Sequence, residues 1–355
     1  MEYTRDDSRK SYIYYLKTLA IIAVVVIHVI GDKYYYDVPL GGKWYGLLFV
    51  ESLFRFAVPI FVMCSGALML AEEREYTTKK CVSKAVKYFV IFILCTVLYV
   101  VADYLLFARE NYGGGWDSFF KFVCDNFGRY KYHLWFMPMY VLLCLLTPAI
   151  RLITKRENMH IVKYLLVLFL ISISTQSLVH ILSVSFGWNV LDNALVYFPI
   201  MLSNYIFIFI TGWFLDNNKF EKKGVILTVA LITLCLSAGV NVIVSYATQT
   251  KVFFTEDNFN IFNYIFSGAI FLCFKIYGNN LGNNKVVVWL AKHTLHIYLL
   301  HVLLIEVVQQ LVYKPDWSLG LLLLFMLAEV VIVIIMSALI SAGCDVIKKL
   351  NIKRE

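Results

Sequence analysis

A lysine and a histidine interrupt an otherwise apolar stretch near the start of the chain, LKTLAIIAVVVIH, residues 16 to 28. Eleven steps of about 100° bring an α-helix back to nearly the same face, so Lys17 and His28 would share a face roughly 16 Å apart. With a reference pKa of about 6.5, a histidine accepts a proton at neutral pH, and His28 is a candidate general base. Two simpler interpretations stay open: Lys17 as a lysine reaching back to the interface, and His28 as an interfacial residue.

Further polar side chains lie in apolar stretches, where ionisable groups are costly and usually have a function. Glu51 and Arg55 are four residues apart, which predicts an ion pair that is either structural or orients a substrate. Tyr298 and His301 are about one helical turn apart and could hydrogen-bond a substrate or only the protein itself. Two more candidates, to which spacing assigns no task, are Glu306 and Glu329.

These residues must be positioned by membrane helices. The chain has 355 residues, of which 60% are hydrophobic and 16% charged, and runs of at least about 18 apolar residues recur along it. We predict an all-α polytopic membrane bundle of about ten helices, forming one domain over residues 1–355. The predicted spans are 12–31, 46–70, 86–107, 134–153, 161–181, 197–215, 224–246, 261–277, 286–311 and 319–346.

Lysine and arginine residues are distributed unequally between the loops. Of the 32 in the chain, 21 lie in the termini and in one alternate set of loops, whereas eight lie in the other set. Positively charged loops face the cytoplasm, so both termini are predicted to be cytoplasmic. The net charge of +8 therefore has its source in membrane topology, and no nucleic-acid partner is expected.

The longest outer loop, about 108–133, contains WDSFFKFVCDNF, whose spacing predicts a short helix at the interface. His133 and Trp135 lie where this loop enters the fourth span, a position at which a tryptophan is also expected as an interface anchor. The eight cysteines form no CxxC pair and lie mostly in apolar runs, so we expect no metal site.

Four segments together resemble the acyltransferase-3 family of integral-membrane acyltransferases. The Lys-x10-His arrangement of the first span is similar to the family's [R/K]-x10-H signature. FRFAVPIFVMCSG (54–66), YHLWFMPMYVLLCLLTPAIR (132–151) and LHIYLLHVLLIE (295–306) resemble later family segments, in the family's order. The family also has an Arg-x-x-Arg pattern at the start of the third helix, and its counterpart in this chain is at best Lys84-x-x-Lys87. Lysine keeps the charge but lacks the bidentate fork that suits phosphate.

The resemblance implies transfer of an acyl group, usually acetyl, from acetyl-CoA or another acyl-CoA in the cytoplasm. The implied acceptor is a hydroxyl of a surface glycan or lipid-linked glycan, at the plasma membrane of a bacterium and in contact with membrane lipids. His28 would be the general base, and Lys17 would meet the donor or tune the field of the cavity. Lys84 and Lys87 would bind acyl-CoA. The expected acceptor site or cavity lining is Glu51, Arg55, His133, Trp135, Tyr298 and His301.

Two other functions stay open. A transporter or flippase for a lipid-linked sugar would use the same buried charges as gates, although the chain shows neither an internal repeat nor an inverted pair of broken helices. A membrane sensor or scaffold would tolerate replacement of Lys17 and His28.

Overall fold

The computed structural model describes residues 11–31, 37–126, 131–186, 204–251, 260–282, 284–314 and 316–352. Within these ranges the chain forms helices and turns, with no strand. The α-helices are α1 Ser11–Gly31, α2 Gly42–Ser52, α3 Ala57–Met69, α4 Thr78–Asp103, α5 Arg109–Tyr112, α6 Trp116–Asp125, α7 Phe136–Ile153, α8 Met159–Phe186, α9 Asn204–Asn217, α10 Lys223–Thr248, α11 Ile261–Tyr277, α12 Lys285–Val312 and α13 Leu319–Ile352.

Eight helical segments of the described chain are long and apolar enough to cross a membrane. They coincide with eight of the ten predicted spans, and the shorter apolar α11 coincides with a ninth. The remaining predicted span, 197–215, is represented by α9, and its first residues, 197–203, lie outside the described residues. The prediction of an all-α polytopic membrane bundle is confirmed, whereas the orientation of the bundle stays a prediction.

The chain divides into two compact units. The smaller unit is Glu75–Leu152, and the larger unit combines Met1–Arg74 with Ile153–Glu355. The single domain expected over residues 1–355 stays a prediction.

In the larger unit, α1 lies at the centre of the packing and contacts α3, α11, α12 and α13. Helices α1 and α12 run side by side in the same direction. The Thr18 hydroxyl donates to the Val287 carbonyl at 3.0 Å near their beginnings, and the Gln309 amide donates to the Val29 carbonyl at 3.2 Å near their ends. Asn284 caps α12 by accepting from the Val286 backbone N–H at 2.9 Å. This pairing brings the histidines of the two helices together.

Two glycines let α3 and α9 approach each other backbone to backbone. A Cβ atom at Gly66 would collide with the Phe209 carbonyl oxygen, and a Cβ at Gly212 would collide with the Met63 carbonyl oxygen. Small residues allow such close crossings in membranes, where dispersion contacts replace the hydrophobic effect as the main attraction between helices. Gly66 and Gly212 therefore allow a tight crossing of α3 and α9.

The second span is not one continuous helix, which corrects the uninterrupted helix expected over 46–70. Helix α2 ends at Ser52, a turn covers residues 53–56, and α3 begins at Ala57. Pro59 supplies the physical reason: it has no N–H for the carbonyl four residues earlier, that of Arg55, and its ring crowds that carbonyl. Arg55 consequently lies in the turn.

In the smaller unit, α4 begins at a Thr77 cap and continues through a π-helical turn, Tyr104–Ala108, into the short α5. The Tyr104 hydroxyl donates to the Gly113 carbonyl at 2.7 Å, which holds the loop after α5. Helix α6 is the short helix predicted in the outer loop. Its Phe122 is buried while its Trp116 is 77% exposed, as suits a helix lying at an interface.

Candidate functional site

His28 of α1 and His301 of α12 face each other in the larger unit. Their ring centroids are 5.0 Å apart, and the rings are tilted by 47°. His301 is fully buried, whereas His28 keeps part of its surface exposed. Of the two histidines, His28 is the more exposed.

A hydrogen bond determines which nitrogen of His301 carries a proton. His301 Nδ1 lies 2.7 Å from the Tyr298 carbonyl oxygen. A carbonyl oxygen only accepts, so Nδ1 must be the donor, and in the neutral ring Nε2 is then an acceptor. The rings of Tyr298 and His301 are 6.0 Å apart, so the turn predicted to carry both side chains does bring them together.

The Glu51–Arg55 ion pair predicted from spacing is present. The Glu51 side chain is 1% exposed and that of Arg55 is 13% exposed. Arg55 is close enough to His28 for its charge to act on the imidazole. The break in the second span thus places a cation near His28, with a buried carboxylate beside it.

Lys17 lies near the beginning of α1 and is buried, with 6% of its surface exposed. A lysine that only reached back to the interface would keep its head group exposed. Lys17 and Asp216 are both close enough to the Cys64 thiol for their charges to act on it. The lysine therefore points into the protein, eleven residues along the same helix from His28.

The smaller unit holds the other predicted site residues. His133 is 1% exposed, in the short helix Tyr132–Trp135, and its ring meets that of Tyr99 edge to face at 5.1 Å. Trp135 is partly exposed and contacts Phe136, with ring centroids 6.2 Å apart. His133 is thus a buried side chain of this unit, whereas Trp135 keeps the exposure expected of an interface anchor.

Lys84 and Lys87 diverge on α4. Lys84 is partly buried, with its Nζ 5.7 Å from the centre of the Tyr76 ring and 5.5 Å from that of Tyr140. Lys87 is exposed. The guanidinium of Arg151 lies 6.0 Å from the same Tyr76 ring. Lys84 and Arg151 are therefore the cations that converge in this unit. Arg151 was not singled out from the sequence.

A second histidine of α12 was not singled out from the sequence. His293 is 7% exposed, and its Nδ1 lies 2.7 Å from the hydroxyl oxygen of Ser341, which is 1% exposed. The Trp289 ring packs on His293 at 4.8 Å. The partners are 48 residues apart in the chain, and no local pattern links them.

Gln309 is another buried polar residue that was not singled out from the sequence, and it contacts Val29, the residue after His28. Its side chain is buried and donates to the carbonyl of Val29, in the last turn of α1, where carbonyls have no partner further along the helix. A glutamine in an apolar helix was the available signal.

The two remaining acidic candidates differ in burial: Glu329 is fully buried in α13, and Glu306 is partly exposed in α12. Neither gains a chemical role from its position. Among the described residues, His, Cys, Asp and Glu side chains form no group of three that could hold a metal ion.

The comparisons with known proteins agree with the sequence motifs. Residues 10–343 match the model of the acyltransferase-3 family, described as an acyltransferase domain. No curated protein and no solved structure matches the chain. The family match covers nearly the whole chain, from before α1 into α13, and includes every candidate residue discussed above. The chain therefore belongs to the acyltransferase-3 family of membrane acyltransferases.

Proposed function

We propose that this membrane acyltransferase moves an acyl group, acetyl in the simplest case, from cytoplasmic acyl-CoA to a hydroxyl of a surface glycan or related extracytoplasmic acceptor. The observation that carries the proposal is the pair His28 and His301, with rings 5.0 Å apart and only His28 partly exposed. The proposed setting is the plasma membrane of a bacterium, with acyl-CoA on the inner side.

In this reaction His28 acts as the general base. It removes the proton from the acceptor hydroxyl, and the oxygen forms a bond to the acyl carbon of the thioester. The carbon–sulfur bond then breaks, and the CoA thiolate leaves with its electron pair and receives the proton. Acyl-CoA and alcohol are consumed, ester and CoA thiol are formed, and the atoms balance.

His301 positions the base in this proposal. Its Nδ1 proton is engaged by the Tyr298 carbonyl, so its Nε2 is an acceptor on a ring that is held in place. Such an acceptor can receive a hydrogen bond from His28. A fixed, buried partner of this kind keeps the reactive imidazole in one orientation.

Arg55 supplies positive charge close to the reaction. A negative charge develops on the acyl oxygen when the hydroxyl attacks, and a nearby cation in a water-poor site stabilises it. The ion pair with Glu51 holds the guanidinium in place and lowers the cost of burying it. Glu51 therefore acts on the reaction through Arg55.

The donor side of the proposal rests on lysines. Lys17 is buried toward the predicted cytoplasmic end of α1, where it suits the pantetheine arm of acyl-CoA. Lys84 and Lys87 are the proposed contacts to the phosphates of acyl-CoA. Arg151 lies beside the same Tyr76 ring as Lys84, and its guanidinium adds the bidentate hydrogen-bonding fork that a lysine lacks. His133 and Trp135 remain proposed cavity-lining residues.

Release of CoA thiol tests this proposal directly. Purified protein in lipid nanodiscs would be given acetyl-CoA and a delipidated surface-glycan extract, and free thiol would be followed with a chromogenic disulfide. We expect acceptor-dependent thiol release by the wild type and by an exposed-histidine control, His160→Gln. In parallel, mass spectrometry of surface glycan from wild-type and deletion strains should show the loss of one acyl increment. Thiol release without any acceptor dependence, together with unchanged glycan masses, would contradict the proposed acceptor class.

A further inference from the structure

A cavity of about 400 Å³ opens near the end of α9 and the last turn of α11. Its floor is apolar and its rim is basic. The lining is Lys219, Phe220, Glu221, Lys223, Leu272, Lys275 and Ile276. Three lysines and one glutamate leave this rim with an excess of positive charge, and the volume lies within the range of roughly 300–1,000 Å³ typical of ligand sites.

The three lysines are held differently. Lys275 donates to the carbonyls of Leu215, Asp216 and Asn218 at 2.7–2.8 Å, so its charge is fixed in the wall of the cavity and closes the end of α9. Lys223 lies over the ring of Tyr277, 5.6 Å from the centroid. Lys219 is exposed. Lys219 and Lys223 are thus the two rim cations able to meet a ligand.

The apolar floor continues along α11. Leu272 and Ile276 are four residues apart and therefore lie on one face of the helix, and Phe220 lines the cavity from the loop before α10. The loop 216–223 follows the sixth predicted span, 197–215, and therefore lies on the same, predicted cytoplasmic, side as the termini. Basic side chains, an aromatic ring and an apolar stripe at the end of membrane helices are the chemistry of an interfacial lipid site.

We propose that this cavity binds an anionic phospholipid of the cytoplasmic leaflet, with the phosphate on Lys219 and Lys223 and an acyl chain along Leu272 and Ile276. Charge complementarity selects the anionic head group, and the apolar floor selects a lipid over a free phosphate. The site is separate from His28 and His301, and the inference does not depend on acyl transfer.

Native mass spectrometry of the purified full chain tests the site. The detergent-solubilised protein would be titrated with phosphatidylglycerol or with phosphatidylcholine of the same acyl chains. The test variant is Lys219→Gln/Lys223→Gln. The matched control is Lys222→Gln/Lys163→Gln, which removes the same charge from exposed lysines outside the cavity, one of them in the same loop. Monodisperse size-exclusion profiles and unchanged melting temperatures would show that each variant is folded.

We expect the wild type and the control to retain phosphatidylglycerol and to bind phosphatidylcholine much more weakly. Because each lysine near an anionic surface contributes about fivefold in affinity, the test variant should bind phosphatidylglycerol about 25-fold more weakly. Equal binding of the two lipids, or equal binding by the test variant and the control, would overturn the proposal. The proposal would also be overturned if soluble CoA displaced the lipid and if CoA binding depended on Lys219 and Lys223 to the same extent. The ligand of the cavity would then be a free phosphate compound.

Discussion

Replacement of Gly212 by alanine tests the crossing of α3 and α9, which supports the broken second span. The added Cβ would meet the carbonyl oxygen of Met63. That obstacle is a main-chain atom inside a helix, so relief requires movement of a whole helix. The reciprocal contact of Gly66 with the Phe209 carbonyl means that any separation of the helices loosens both ends of the crossing.

The magnitude follows from two opposing effects. Overpacking of a close-packed interior costs typically about 1–3 kcal/mol, and a backbone obstacle belongs at the upper end, about 3 kcal/mol. Alanine gains about 1 kcal/mol over glycine in helix propensity. We therefore expect Gly212→Ala to lower the free energy of unfolding by about 2 kcal/mol.

The assay is thermal unfolding in detergent, followed by the fluorescence of the native tryptophans and by size-exclusion chromatography of heated samples. Trp213 is next to the substitution and fully buried, so its emission reports on the crossing itself. Gly239→Ala is the matched control, because Gly239 lies inside α10 with open space where a Cβ would stand. The control should be unchanged or more stable by up to about 1 kcal/mol. If Gly212→Ala melts at the same temperature as Gly239→Ala, the backbone-to-backbone crossing is wrong.

Three further predictions concern single polar contacts. Glu51→Gln should destabilise the protein by about 3–5 kcal/mol, because it leaves the Arg55 charge poorly compensated. The double variant Glu51→Leu/Arg55→Met should recover most of that loss in the same thermal assay. Equal melting temperatures of the single and double variants would contradict this. Gln309→Leu removes one hydrogen bond to the turn that holds His28. It should lower kcat about fivefold and leave the KM for acyl-CoA unchanged. If the glutamine were purely structural, the substitution would change the melting temperature and leave kcat unaltered. Tyr104→Phe should lower the free energy of unfolding by about 1 kcal/mol, because the hydrogen bond to the Gly113 carbonyl is lost. The loop after α5 should also be cleaved faster by proteases. An unchanged rate of proteolysis would argue against that role of the bond.

The positions of the helices were predictable because each membrane span carries its own signal. About 18 apolar residues are sufficient to predict a crossing without knowledge of its neighbours, and the described helices lie where hydropathy predicts them. The break after Ser52 was missed because residues 46–70 are apolar enough to predict one crossing despite Glu51 and Arg55. Pro59 was the available signal, since a proline disturbs the carbonyl four residues before it.

The candidate site was predictable residue by residue, but its contacts were not. His28 and His301 were both singled out from the sequence, yet their approach to 5.0 Å depends on the parallel packing of α1 and α12, which no local pattern encodes. Lys84 and Arg151 lie on two different helices, and their approach to the Tyr76 ring likewise depends on helix packing that no local pattern encodes. The hydrogen bond between His293 and Ser341 was missed for the same reason.

The most direct test of the central claim, that His28 is the base, is the rate of acyl transfer by His28→Gln. Glutamine keeps a polar side chain of similar length and cannot take up the proton. The wild type, His28→Gln and the exposed control His160→Gln would be compared at equal amounts of folded protein, with isotope-labelled acetyl-CoA and surface-glycan extract, and labelled ester would be counted by mass spectrometry. Positioned acid–base groups contribute roughly 10²–10⁴-fold to rate, so His28→Gln should lose at least about 100-fold while His160→Gln stays at the wild-type rate. A His28→Gln protein that transfers the labelled acetyl group at the wild-type rate would contradict the account.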